Sequence, residues 1–162
     1  MVDMDKFLKR NPSLLHQIEQ GKAAILYPGD GMHMLLLGET GVGKSLFADL
    51  LHKYGIQSGK LAEASPFIQF NCADYAHNPQ LLMSQLFGHV KGAYTGAETN
   101  KTGLLEKANG GILFLDEIHR LPIEGQEMLF TYIDRGVFRR LGESEKDHHA
   151  NVLIIGATTE KK

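Results

Sequence analysis

Residues 38 to 45 read Gly38-Glu39-Thr40-Gly41-Val42-Gly43-Lys44-Ser45 and fit the string G-x-x-x-x-G-K-[ST]. Glycines at this density let a backbone wrap closely around an anion, so that its N–H groups and the positive end of a following helix face a phosphate chain. In that arrangement Lys44 reaches the terminal phosphates and the Ser45 hydroxyl is placed for Mg²⁺. A second constellation closes the apolar run Ile112-Leu113-Phe114-Leu115: the adjacent carboxylates Asp116 and Glu117, at what reads as the carboxyl end of a strand. Ligands of open α/β sheets bind beyond such strand ends. Asp116 is suited to hold Mg²⁺ directly or through water, and Glu117 to polarise an attacking water. Alone, the pair would serve equally well as an acidic helix cap. Coupled to a phosphate loop, it marks hydrolysis rather than anion binding.

Those residues need strands and helices to hold them, and the apolar pattern supplies both. Asn11 and Pro12 predict the start of an entry helix with Leu14, Leu15 and Ile18 on one face, and residues 27–31 break it. Residues 34–37 read as a strand buried on both faces, immediately before the glycine string. Leu46, Phe47, Leu50, Leu51 and Tyr54 predict a helix that Gly55 ends. Residues 67–70 predict a second strand, and Asn78-Pro79 a capped helix carrying Leu81, Leu82, Leu86 and Phe87. A glycine-rich loop follows over residues 88–96, then a short helix over 104–108 stopped by Asn109-Gly110-Gly111, then the strand 112–115. Pro122 opens a helix with Met128, Leu129, Tyr132 and Ile133 buried, and Gly136 ends it. Residues 137–142 read as a hairpin arm, 143–149 as a solvated loop, and 152–155 as a fourth strand. Strands alternating with helices predict a parallel α/β sheet with helices on both faces. One domain is expected, residues 1–30 forming its helical entry segment and 31–162 the phosphate-binding core.

Composition removes other classes. With 43% hydrophobic and 22% charged residues in 162, the chain is neither disordered nor fibrous. Seventeen basic against nineteen acidic residues leave a net charge of −2, so no global positive field draws this segment to nucleic acid or anionic lipid. The acidic start, Met1-Val2-Asp3-Met4-Asp5-Lys6, lacks the features of a signal peptide, and no run reaches membrane-spanning length. Cys72 is the single cysteine and fits a reducing compartment, so a cytoplasmic location is expected. His119, His148 and His149 lack a metal-ligand spacing and read as solvated, while Met32, Met34 and Met128 read as core filler.

The motifs together resemble the AAA+ ATPase domain of sigma-54-dependent transcription activators, the bacterial enhancer-binding proteins. Besides the two phosphate-site motifs, the resemblance rests on Phe70-Asn71-Cys72-Ala73, on Leu86-Phe87-Gly88-His89, and on Gly103-Leu104-Leu105-Glu106 before the Asp116-Glu117 strand. Its most specific sign is Gly92-Ala93-Tyr94-Thr95-Gly96-Ala97, which is similar to the family's G-A-F-T-G-A loop. The resemblance implies ATP and Mg²⁺ as ligands, with the nucleotide held by residues 38–46, Leu46 included, together with Asp116 and Thr159. It implies a catalytic set of Glu117, Asn71 and Lys44, in which Asn71 holds Glu117 inactive until the γ-phosphate is sensed. It implies that residues 92–97 contact the sigma-54 RNA polymerase holoenzyme, that Arg139 and Arg140 lie on an arm beside them, and that the working form is a hexameric or heptameric ring. DNA would be bound only through a separate domain, and no membrane is involved. Thr159, in Ala157-Thr158-Thr159-Glu160, stands where the family has the asparagine of A-T-N. That ending, with Tyr94, resembles the LevR-type branch, activators of sugar phosphotransferase operons in low-GC Gram-positive bacteria. The family's sheet order, five-one-four-three-two, implies a core truncated before its fifth strand, arginine fingers and helical lid, with residues 34–37 an uncovered edge and little hydrolysis by this segment alone. A nucleotide-responsive interaction module with little hydrolysis is the alternative reading.

Overall fold

A computed structural model describes residues 15–29, 31–37 and 42–159. The expected cap at Asn11-Pro12 and residues 38–41 of the glycine string lie outside them. Four parallel strands form the central sheet: β1 (Met34–Leu37), β2 (Phe67–Asn71), β5 (Ile112–Asp116) and β8 (Leu153–Thr158), in the order β1-β8-β5-β2. Two short antiparallel pairs stand beside it, β3 (Gly88–His89) with β4 (Lys101–Thr102), and β6 (Val137–Phe138) with β7 (His148–His149). The helices are α1 (Leu15–Leu26), α2 (Val42–Gln57), α3 (Pro79–Phe87), α4 (Leu104–Lys107) and α5 (Ile123–Arg135).

Side chains alternate across a strand, and here that alternation builds two cores. Ile112 and Phe114 of β5, with Leu153, Ile155 and Ala157 of β8, pack against Ile18 and Ile25 of α1 and Phe47, Ala48 and Leu51 of α2. Leu113, Leu115 and Ile154 face the other way, onto Leu82 and Leu86 of α3, Leu105 of α4, and Leu129 and Tyr132 of α5. Helices on both faces of a parallel sheet are what the strand-helix alternation predicts. The buried Tyr132 hydroxyl joins α5 to the sheet, donating to the Ala150 carbonyl at 2.7 Å and accepting from Val152 N–H at 2.8 Å. Tyr132→Phe should therefore lower unfolding free energy by about 1–3 kcal/mol, measured by urea denaturation, because it leaves buried backbone groups unpaired.

Several local expectations need correction. β1 is covered on one face only: Met34 and Leu36 pack on the α1–α2 side, whereas Leu35 and Leu37 are 56% and 67% exposed. The reason is that the core on the other face includes no residue of β1, although its place at the sheet edge is the one expected. Gly55 does not end α2; it lies inside the helix, where a Cβ would sit 2.6 Å from the Leu61 side chain returning across it. Ile133 is exposed, because the buried stripe of α5 runs through Gly125, Leu129 and Tyr132. Met32 is also exposed, while Met34 and Met128 are half-buried against the cores. Residues 88–96 are not all loop, since β3 begins a hairpin whose stem is closed by β4. In the polar run 143–149, His148 and His149 form β7, and His148 stacks on Phe138 and bonds Glu143 at 2.9 Å, so it is no solvated histidine.

Asn78, as expected, caps α3 by accepting from Leu81 N–H at 3.2 Å, with Pro79 at the first helical position. Gly136 ends α5 in the left-handed conformation at φ 72°.

Candidate functional site

The carboxyl ends of the four sheet strands come into line, Leu37 beside Thr158 and Asn71 beside Asp116. α2 begins at that same end, because β1 leads to it through the glycine string, and its first turn presents backbone N–H groups there. Among the described residues, none outside its own helix comes within 4 Å of where a Cβ on Gly43 would be. Lys44 reaches across, its Nζ donating to the Thr158 carbonyl at 3.4 Å. The Ser45 hydroxyl donates to Gln69 Oε1 on β2 at 2.9 Å. That bond uses its one proton and leaves the oxygen lone pairs available to a cation.

Asp116 and Glu117 close β5. Asp116 Oδ1 accepts from Glu117 N–H at 2.9 Å, and Glu117 holds φ at +52°, the one non-glycine residue with positive φ among those described. A left-handed conformation at a branched-out side chain costs about 1–3 kcal/mol and persists where surrounding contacts over-determine it. Those contacts are visible. Glu117 Oε2 accepts from Thr159 Oγ1 at 3.2 Å and pairs with His119 Nε2 at 3.2 Å, and His119 Nδ1 lies 2.7 Å from Thr158 Oγ1. The other oxygen, Oε1, is buried with no hydrogen-bond partner, the one such side-chain atom among the described residues. An acceptor kept unsatisfied in a strained residue at a strand end is suited to receive a proton from a reacting water. Cys72 lies beneath the site, fully buried; burial first and the Asp116 charge second push its thiol up to about 12, so it stays protonated and unreactive.

A second set of functional candidates sits on the β3–β4 hairpin. Its tip is a compact turn, with Gly92 N–H donating to the Ala97 carbonyl at 2.9 Å and Ala97 N–H to the Tyr94 carbonyl at 3.0 Å. Tyr94 meets His89 edge-on at 5.2 Å between ring centres, Thr95 is exposed, and Ala97 is buried. The arm of residues 137–142 lies alongside, Val90 N–H donating to the Leu141 carbonyl and Leu141 N–H to that of Gly88, both at 3.0 Å. Arg140 forks onto Glu106 with 2.7 and 2.8 Å bonds, and its guanidinium holds the Glu106 carboxyl below its ordinary range. Glu106 is thus anionic at neutral pH, and what the pair adds to stability is lost as pH falls through the lowered folded-state value.

Set beside known proteins, residues 7–162 match the family model described as the sigma-54 interaction domain. The chain belongs to the sigma-54 interaction domain family. It is 64% identical over 148 residues to the transcriptional regulatory protein LevR of Bacillus subtilis (strain 168), and 53% identical over 148 to DagR of Salmonella typhimurium (strain 14028s / SGSC 2262). Each match covers 91% of this chain and 16% of the relative, so the chain spans about a sixth of their length. Among solved structures, NtrX from Brucella abortus in complex with ADP superposes with a TM-score of 0.69 at 27% identity, covering 98% of this chain and 34% of that one. The sigma-54 interaction domain is the AAA+ module of such transcriptional regulators, and the α/β sheet described above is the fold shared with the NtrX structure. No helix among the described residues is long and apolar enough to cross a membrane.

Within this sigma-54 interaction domain, Lys44, Ser45, Asp116, Glu117 and Thr159 lie at one end of the sheet, joined by the bonds above. Asn71 reaches the same end, but its Oδ1 accepts from Ala73 N–H at 2.9 Å and caps the short 3₁₀ turn Cys72–Tyr75. It makes no hydrogen bond to Glu117. Gln69 and His119 were not legible as site residues. His119, expected to be solvated, is instead three-quarters covered, hydrogen-bonded to Thr158 through Nδ1 and in contact with Glu117 through Nε2. The signal that could have found it is its position two residues after a strand-end glutamate.

Proposed function

We propose that this domain is the ATP-binding and ATP-hydrolysing core of a transcription activator that remodels the sigma-54 RNA polymerase holoenzyme, working as a cytoplasmic ring of subunits. The observation that carries the reading is Glu117: one carboxylate oxygen accepts from Thr159 and pairs with the His119 ring, and the other is buried without a hydrogen-bond partner at the strand end. The residues fit a Mg²⁺–triphosphate. A Gly43 backbone uncrowded by the described residues, a serine hydroxyl with free lone pairs, a lysine and an adjoining aspartate form a set suited to phosphate oxygens and a hard cation. When bound, Mg²⁺ supplies charge neutralisation across the phosphates. Lys44 and the first turn of α2 hold the phosphate chain, Ser45 and Asp116 hold the cation, and Glu117 Oε1 orients water and accepts its proton.

The ADP complex of the NtrX neighbour supports an adenine nucleotide as ligand. In this reading residues 92–97 are the surface for the sigma-54 factor, and Arg140 fastens the neighbouring arm in place through Glu106. Calorimetry tests the assignment most directly. Wild type should bind Mg·ATP, and Lys44→Ala should weaken it at least about tenfold, since a charge-assisted contact to phosphate is removed. Equal affinity of the two proteins would remove the phosphate site from this loop.

A further inference from the structure

We propose that His119 is the positioning residue of the water-activating glutamate: with Thr159 it fixes Glu117 Oε2 over the end of β8, and thereby presents Oε1 to water. The inference rests on the ATP-hydrolysing reading above. It gives this chain a device in which the glutamate is oriented from the β8 side rather than from Asn71.

The bonding dictates the ring's state. An ionised carboxylate only accepts, so His119 Nε2, 3.2 Å from Glu117 Oε2, carries the proton. In the neutral ring Nδ1 then has a lone pair, and the Thr158 hydroxyl at 2.7 Å donates into it. The polarity therefore runs in one direction: Thr158 Oγ1 donates to the His119 ring, the ring's Nε2 side contacts Glu117 Oε2 at 3.2 Å, and Thr159 Oγ1 donates a hydrogen bond to the same oxygen. A hydrogen bond and an imidazole contact on Oε2, against no partner on Oε1, define which oxygen is structural and which is offered. The turn that carries His119 is itself fixed, Arg120 N–H donating to the Glu117 carbonyl at 2.9 Å and Leu121 N–H to that of Ile118 at 3.1 Å. Asn71 is held by the cap it makes, its Oδ1 accepting from Ala73 N–H, and it makes no hydrogen bond to Glu117. Thr158 carries a second link, its carbonyl accepting from Lys44 Nζ. One residue thus joins the phosphate-loop lysine to the histidine that holds the glutamate.

Two measurements test this. Long-range ¹H–¹⁵N NMR of the imidazoles should report His119 as the Nε2–H tautomer, and Glu117→Gln should shift its Nε2 resonance while leaving His148 unmoved. In the full-length protein His119→Ala should lower kcat about 10- to 100-fold with the KM for ATP within twofold, the loss expected for a hydrogen bond to a charged group. His119→Gln, whose amide can still donate to Glu117, should recover part of the rate. An Nδ1–H tautomer overturns the inference without recourse to any variant, and so decides the matter even if His119→Ala fails to fold. Unchanged kcat in His119→Ala, with wild type active, overturns it equally. Wild type that neither binds nor hydrolyses ATP removes the parent reading, and the inference with it.

Discussion

Glu117→Gln should bind Mg·ATP as wild type does and turn it over at least about 10²-fold more slowly, the lower end of what a positioned general base contributes. The geometry makes the substitution a sharp test. Thr159 donates to Oε2 and the His119 ring contacts it at 3.2 Å, so the glutamine carbonyl will settle there and its NH₂ will occupy the place of Oε1. An amide nitrogen donates and cannot accept a proton from water, so the acceptor is lost while size and anchoring remain. Calorimetry reports the affinity and phosphate release the turnover, both in the full-length protein. Turnover within tenfold of wild type would remove Glu117 from the chemistry.

Thr95→Ala should be silent in isolation and decisive in context, abolishing nucleotide-dependent engagement of sigma-54 while ATPase activity stays within a few-fold of wild type. Thr95 is exposed at the hairpin tip, so its truncation should change stability by no more than about 0.5 kcal/mol. Tyr94→Ala should give the same functional loss at a modest structural cost, because its ring lies edge-on against His89. An aromatic pair of that kind contributes about 0.5–1.5 kcal/mol, well short of the roughly 3–5 kcal/mol lost when a packed core aromatic is truncated. Thermal melts, and co-elution with sigma-54 in the presence of a transition-state analogue, separate the two effects. Normal co-elution of both variants, or collapse of the melt in Tyr94→Ala, would take the partner surface away from residues 92–97.

What sequence conveys about this domain divides by the range of the physics. Runs with one face or two to bury are local, so β2, β5, α3 and α5 could be read within a residue or two, as could the Asn78 cap and the Gly136 stop. The two motifs proposed for the phosphate site are strings of fixed spacing, so they stand out in the sequence without any fold to place them. The edge position of Met34–Leu37 followed from the resemblance, but the exposure of one face did not, because a run of four apolar residues carries no mark of which face a helix will cover. Gly55 was misread because a glycine kept for the close approach of Leu61 has the same letter as one kept for a turn. His119 escaped because its hydroxyl partner, Thr158, is 39 residues away and meets it only when β8 pairs with β5. The left-handed backbone of Glu117 has no compositional sign at all.

The hairpin stem and the arm of residues 137–142 have a mechanical consequence. Backbone bonds from Val90 to Leu141 and from Leu141 to Gly88 lace the two together, and the Arg140 fork pins the arm to α4, which follows the hairpin directly. At Gly142 a Cβ would come within 2.8 Å of Ala93, so the arm also buttresses the turn from below. Such a cross-braced pair behaves as one stiff lever rather than two whips. A load at Thr95 passes into the base of the stem and the root of the arm instead of being spent in bending near the tip, and its fulcrum lies where β3 leaves α3 and β6 leaves α5.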